Sequence, residues 1–191
     1  MVSTRVGYAG GTSTDPTYHN LENHSETIEI TFDPAVISYQ ELLDVFWGFH
    51  DPTRPPYSTQ YASIIFYHDE GQKAAAEASM AERQRELGRQ LYTAIRPAGP
   101  FYQAEDYHQK YYLSTKTKVV EALRAVYPDF SDYVASTAAA RLNGYAGGFI
   151  SAGDLVSELE RLGFERDTIA RILEAAGESV AAYCPAPSSI E

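Results

Sequence analysis

The chain has 191 residues, with 26 Asp or Glu against 15 Lys or Arg, and its formal net charge is −11. An acidic surface repels phosphate backbones, which argues against a nucleic-acid partner. No apolar run reaches the roughly 20 residues that a membrane-spanning helix needs, and the N-terminus lacks the apolar core of a signal peptide. The one cysteine, Cys184, excludes an intrachain disulfide, so we predict a cytoplasmic protein without membrane attachment.

The first half of the chain predicts alternating strands and helices. Polar and apolar residues alternate in ETIEITF (26–32), which is typical of a half-buried strand. Ser38 and Glu41 predict a capping box at the start of a helix that runs through SYQELLDVFWGFH (38–50). The three prolines that follow within 51–60 predict a loop.

Four further segments complete this half. YASIIFY (61–67) predicts a strand, and the polar stretch 70–91 predicts a long helix. TAIRP (93–97) predicts another strand, and AEDYHQKYYL (104–113) predicts a short helix. The sequence therefore favours an α+β architecture up to about residue 113.

From residue 114 to 183 every periodic segment predicts a helix, with Gly144 and Gly163 at the expected helix ends. We therefore predict two domains, an α+β domain at 1–113 and a helical extension at 114–191. The extension could cap the sheet or shape access to a site.

Several motifs of the α+β part occur together in the order of one known family. The motifs are GYAGG (7–11), DPTY (15–18), HSE (24–26), FDPAVISYQELLDVFWGFHDP (32–52), STQY (58–61) and FYQAEDYHQKY (101–111). On these motifs, residues 2–113 resemble peptide methionine sulfoxide reductase A. The resemblance implies a ferredoxin-like mixed sheet with helices, and the reduction of methionine-S-sulfoxide, free or in proteins, as oxidative-damage repair.

The resemblance implies roles for three side chains. Glu26 matches the carboxyl group that donates a proton to the sulfoxide oxygen, and Tyr18 and Tyr61 match two hydroxyls that bind this oxygen. The alternative is structural: Glu26 is an exposed carboxylate at a strand end, Tyr18 is a loop residue, and Tyr61 is the first residue of a buried strand.

In AEDYHQ, Glu105, Asp106 and His108 match positions that flank the substrate, and hydrogen bonds that fix the helix are the preferred alternative explanation. The five histidines are not spaced as a metal site, so we expect no metal and no bound cofactor.

The resemblance implies a cysteine nucleophile in a GCFWG-type motif on a strand and helix that precede GYAGG. The printed sequence does not contain this motif, so we expect no activity from the chain as given. Three explanations stay open: a misassigned start or truncation, a selenocysteine codon taken as a stop, or a true short protein. The last would be a non-catalytic module that binds oxidised methionine or another protein. A complete enzyme is expected to be a monomer.

The sulfenic acid that forms during sulfoxide reduction must be reduced by a thiol. Cys184 is the only candidate for a resolving thiol, and thioredoxin or glutaredoxin is the expected reductant. In NGYAGG (143–148), Ala146 stands where relatives have a resolving cysteine, or the motif is an ordinary helix stop.

Overall fold

The computed structural model describes residues 2–178. They form two compact units, one of Val6–Asp106 and one of Val2–Arg5 with the described residues from Tyr107 onward. Within the described range, none of the helices combines the length and the apolarity that crossing a bilayer requires.

The first unit contains a three-stranded sheet with the strand order β2-β1-β5. Its strands are β1 (Ser3–Ala9, whose first three residues belong to the second unit), β2 (Ser25–Thr31) and β5 (Phe101–Gln103). β1 and β5 are antiparallel, with Tyr8 opposite Tyr102. β1 was not expected from the sequence, because its hydrogen-bonding partner β5 lies more than 90 residues away.

A second, two-stranded sheet pairs β3 (Ile64–Tyr67) with β4 (Ala94–Pro97) in parallel. The crossover between them contains α2 (Glu70–Leu87). Asp69 caps the N-terminus of α2, and Gly88 ends it in the left-handed conformation that glycine adopts without strain.

Helix α1 (Tyr39–Gly48) confirms the predicted capping box. Ser38 accepts from the Glu41 N–H, while the Glu41 carboxylate accepts from the Ser38 N–H. The buried face of α1 presents Leu43 and Trp47, and the Trp47 indole donates a buried 2.6 Å hydrogen bond to Ser79 of α2.

From Tyr107 onward the described part of the second unit is helical. Its helices are α3 (Tyr111–Ser114), α4 (Thr117–Arg124), α5 (Phe130–Ala135), α6 (Thr137–Ala146), α7 (Ala152–Arg161) and α8 (Arg166–Ala176). Fourteen buried residues from these helices form one continuous core. The core includes Leu142, Leu155 and Ile169, each with 0% of its surface exposed.

Four sequence-based boundaries were wrong for local physical reasons. The strand expected from Tyr61 begins at Ile64, because the Ala62 N–H closes a turn onto the Thr59 carbonyl. The long helix expected to reach residue 91 ends at Leu87, where the left-handed Gly88 caps it.

The helix expected over 104–113 is a 3₁₀ turn, Asp106–His108, followed by α3, because the left-handed backbone of Lys110 (φ 51°) separates them. Gly144 lies inside α6 and does not end it, whereas Gly163 does follow α7 with φ 82°. The α+β class is confirmed.

Candidate active site

Glu26 lies at the start of β2 and is tied to the loop before β3. Its N–H donates to the Gln60 carbonyl at 3.0 Å, and the Gln60 side-chain amide donates to Glu26 Oε1 at 2.7 Å. The preceding Ser25 hydroxyl donates to the Thr59 carbonyl at 2.6 Å. We call these four residues, Ser25, Glu26, Thr59 and Gln60, the 25–60 clamp. The clamp fixes the backbone of Glu26 and leaves its side chain exposed.

Tyr61 follows the clamp directly. Its side chain is 55% exposed and hydrogen-bonds to the side chain of Tyr18. The nearby charge of Glu26, partial desolvation and Tyr18 together raise the pKa of Tyr61. The phenol therefore stays protonated and can donate a hydrogen bond at neutral pH. Glu26, Tyr18 and Tyr61, which come from three separate motifs, are brought together.

Tyr18 is held in place by Glu105. Its N–H donates to Glu105 Oε1 at 3.0 Å, and the hydroxyl of the buried Tyr8 donates to Oε2 at 2.6 Å. Both carboxylate oxygens thus accept hydrogen bonds from the protein. These two bonds favour a structural role for Glu105, as a hydrogen-bond acceptor that holds Tyr18 and Tyr8, over contact with the substrate.

The other residues of AEDYHQ are in different settings. Asp106 is exposed and is the last residue of the first unit. His108 belongs to the second unit, where its ring is tilted against Tyr107 with ring centroids 4.2 Å apart. Cys184 lies outside the described residues.

His24 connects the glycine turn of GYAGG to Glu26. The buried imidazole accepts from the Gly11 N–H at Nδ1, 3.2 Å away, and donates from Nε2 to the Ser13 carbonyl at 3.0 Å. A Cβ atom at Gly11 would meet this ring at 2.4 Å, so no side chain fits there. His24 therefore packs the turn against the backbone that leads into Glu26.

An apolar cavity of about 430 Å³ opens beside the clamp. Glu26 and Tyr61 line it together with side chains of β2, α1 and β3, among them Ile28, Phe46 and Ile64. A cavity of this kind suits an aliphatic side chain that carries one polar group. The sequence did not predict the cavity, because its walls come from three elements that are distant along the chain.

Gln60 was not predicted as a site residue, although it is part of the STQY motif. A glutamine in a loop has no distinctive pattern, and its partner Glu26 is 34 residues away. The one available signal was that Gln60 directly precedes a tyrosine with an implied site role.

Comparison with known proteins finds similarity to sulfoxide reductases. The sequence model described as peptide methionine sulfoxide reductase matches residues 1–135. A peptide methionine sulfoxide reductase MsrA of Methanothermobacter thermautotrophicus is 50% identical over 123 residues, which are 58% of this chain and 72% of that protein. A peptide methionine sulfoxide reductase of Drosophila melanogaster is 41% identical over 167 residues, which are 85% of this chain and 66% of the fly protein.

Two solved structures are similar to a little over half of the chain. Mxr1 of Saccharomyces cerevisiae in its reduced form aligns with a TM-score of 0.56 and 30% identity, over 58% of this chain and 70% of the yeast chain. Methionine sulfoxide reductase A of Corynebacterium diphtheriae aligns with a TM-score of 0.51 and 31% identity, over 58% of this chain and 62% of that one.

Proposed function

Because the chain belongs to the peptide methionine sulfoxide reductase family, an oxidoreductase family, we propose that it reduces methionine-S-sulfoxide to methionine, free or in proteins. Membership confirms the resemblance derived from the motifs. The observation that carries the proposal is that the side chains of Glu26, Tyr18 and Tyr61 lie close together. Glu26 and Tyr61 also line the apolar cavity.

The cavity and its polar side chains match the two halves of the substrate. The methyl and methylene groups of methionine sulfoxide are apolar, and their burial against Ile28, Phe46 and Ile64 is favourable by roughly 25 cal/mol per Å². The sulfoxide oxygen carries partial negative charge, so it accepts hydrogen bonds from the hydroxyls of Tyr18 and Tyr61. Glu26, in its protonated form, transfers its proton to this oxygen when sulfur is attacked.

Written in full, the reaction consumes two thiols. A thiolate attacks the sulfoxide sulfur and forms an S–S bond, while the sulfoxide oxygen takes up a proton. The substrate S–O bond and the new S–S bond then break as the hydroxyl group moves to the attacking sulfur, which leaves the sulfide and a sulfenic acid. A second thiol condenses with the sulfenic acid to a disulfide and releases water. Sulfur of the substrate gains two electrons, and two thiols lose them.

The sources of these thiols are part of the proposal. The described residues contain no cysteine, and the printed chain has only Cys184. We assign Cys184 the role of resolving thiol and expect a dithiol protein of the thioredoxin or glutaredoxin class as reductant. The attacking nucleophile is then another thiolate or a selenolate. Translation of the coding DNA before residue 1, read through any UGA codon, tests whether a cysteine or selenocysteine codon is present there.

The direct test is stereospecific turnover. Protein expressed from its complete reading frame is incubated with dithiothreitol and either epimer of N-acetyl-methionine sulfoxide methylamide, and the sulfide is quantified. We expect the S epimer to be reduced and the R epimer to remain. Equal reduction of both epimers contradicts the proposed site.

Absence of turnover with both epimers favours a second function, a non-catalytic module that binds oxidised methionine. This alternative draws on the observation that Cys184 is the only cysteine of the printed chain. Calorimetric titration with the two epimers then decides. Binding of the S epimer alone supports the module, and binding of neither excludes both functions.

A further inference from the structure

We infer that Gln60 is a positioning residue that sets which oxygen of Glu26 carries the catalytic proton, an inference that rests on Glu26 being the proton donor. Gln60 approaches the carboxyl group with an N–H donor, and its Nε2 lies 2.7 Å from Oε1. In a protonated carboxyl group the carbonyl oxygen is a better acceptor than the hydroxyl oxygen, so this hydrogen bond favours Oε1 as the carbonyl oxygen. The proton is therefore placed on Oε2.

Gln60 also contacts the backbone of Glu26. The Glu26 N–H donates to the Gln60 carbonyl at 3.0 Å, so one residue contacts both the main chain and the side chain of Glu26. This two-point attachment limits rotation of the carboxyl group about the Glu26 side-chain bonds. A proton donor must lie within hydrogen-bond reach of its acceptor and point toward it, so restricted rotation favours transfer.

Gln60 immediately precedes Tyr61, which hydrogen-bonds to Tyr18 and lines the same cavity as Glu26. The attachment of Gln60 to β2 thus sets the separation of the proton donor from an oxygen-binding hydroxyl. A simple loop anchor needs only the backbone bond and not the amide-to-carboxylate contact.

A spectroscopic test uses the chain as printed. The side-chain amide of Gln60 is followed by ¹H–¹⁵N NMR in the native chain, in Glu26→Gln, which keeps an acceptor oxygen, and in Glu26→Ala, which does not. We expect the Gln60 amide proton that faces residue 26 to keep its downfield shift in the first two and to move upfield, to the position of a solvent-exposed primary amide, in the third. Gln40, which donates to Asp44 at 2.9 Å on α1, is the internal control and keeps its signals throughout. Unchanged Gln60 signals in Glu26→Ala contradict the contact.

A kinetic double-mutant cycle tests the role. Single-turnover reduction of the S epimer is measured for Gln60→Met, Glu26→Gln and the double variant, all in protein from the complete reading frame. We expect Gln60→Met to slow the chemical step roughly three- to tenfold at unchanged KM, the size of one hydrogen bond between neutral groups, since the proton-donating carboxyl group is uncharged. In the Glu26→Gln background the same change is expected to have no effect, because Gln60 acts only through that carboxyl group. Gln40→Met is the matched control and should keep the native rate.

The outcomes separate the two claims. An equal loss from Gln60→Met in both backgrounds means that Gln60 acts through loop structure, which overturns the positioning role and leaves the proposed function intact. A native rate in Gln60→Met beside a slow Glu26→Gln also overturns only the positioning role. A native rate in Glu26→Gln removes Glu26 as proton donor and with it the proposed mechanism.

Discussion

The two units of the molecule are stabilised in different ways. In the described part of the second unit, one continuous core contains 14 buried residues. The first unit has two smaller clusters, with five and three buried residues. It leaves large apolar side chains exposed, such as Phe49 at 72% and Ile28 at 55%.

The candidate site lies in the unit with the smaller cores. Its side chains are held by polar contacts between distant segments: the 25–60 clamp, the Glu105 carboxylate and the His24 imidazole. Apolar packing therefore accounts for most of the stability of the helical unit, and specific hydrogen bonds account for the geometry of the site. Substitutions in the core of the helical second unit should therefore lower stability, and substitutions at the site in the first unit should lower activity.

The largest expected effect is in the helical core. Leu142→Ala removes a fully buried side chain and should lower the free energy of unfolding by about 2–5 kcal/mol, measured by urea denaturation. Leu162→Ala, at a position that is 38% exposed, is the matched control and should change it by less than about 1 kcal/mol. Equal effects at both positions would show that the helical unit has no dominant core.

The next largest expected effect is on the rate of sulfoxide reduction, when the two tyrosine hydroxyls of the site are removed. Tyr18→Phe and Tyr61→Phe should each slow reduction of the S epimer by less than about tenfold, because one hydroxyl remains to bind the oxygen. The double variant should be slower by about 10²- to 10³-fold. Single-turnover rates measure this, with the exposed Tyr57→Phe as control. Small and additive losses would favour a structural role for both tyrosines.

A smaller effect concerns Lys110 of the second unit. Burial lowers its pKa to about 8, and its ammonium group donates to the carbonyl and hydroxyl of Thr4. The unfolded chain, with a lysine pKa near 10.4, binds more protons between pH 8 and pH 10, so folding is favoured as the pH rises through this window. Relative to Lys110→Met, the native chain should gain about 2 kcal/mol of unfolding free energy from pH 8 to pH 10. A constant difference between the two proteins would contradict the buried charge.

The smallest expected effects on the free energy of unfolding come from removing one helix cap in each unit. Ser38→Ala removes the cap of α1 and Ser151→Ala that of α7, and each should cost about 1 kcal/mol. Hydrogen exchange locates the loss: Ser38→Ala should speed exchange in α1, and Ser151→Ala in α7. Faster exchange throughout the chain from either change would mean that the two units unfold together.

The sequence predicted local features well where a short motif determines the structure. The capping box of α1 needs only Ser38 and Glu41, three residues apart, and both predicted bonds are present. The left-handed Gly163 after α7 is local in the same way. The resemblance singled out Glu26, Tyr18 and Tyr61, and the fold brings these three together.

Features that depend on distant partners could not be predicted. β1 is a strand because β5 pairs with it, and nothing in STRVGYA alone indicates this. Gln60 was missed for the same reason, because its partner Glu26 is 34 residues away. The turn at 59–62 that shortens β3 and the left-handed Lys110 that divides the expected helix are local, but neither contains a glycine that would indicate it.

The central claim is that Glu26 donates the proton to the sulfoxide oxygen. The most direct measurement is the single-turnover rate of S-sulfoxide reduction by Glu26→Gln, with Glu22→Gln, an exposed carboxylate four residues earlier, as control. We predict a loss of about 10²-fold for Glu26→Gln and a native rate for the control. A native rate for Glu26→Gln would contradict the account.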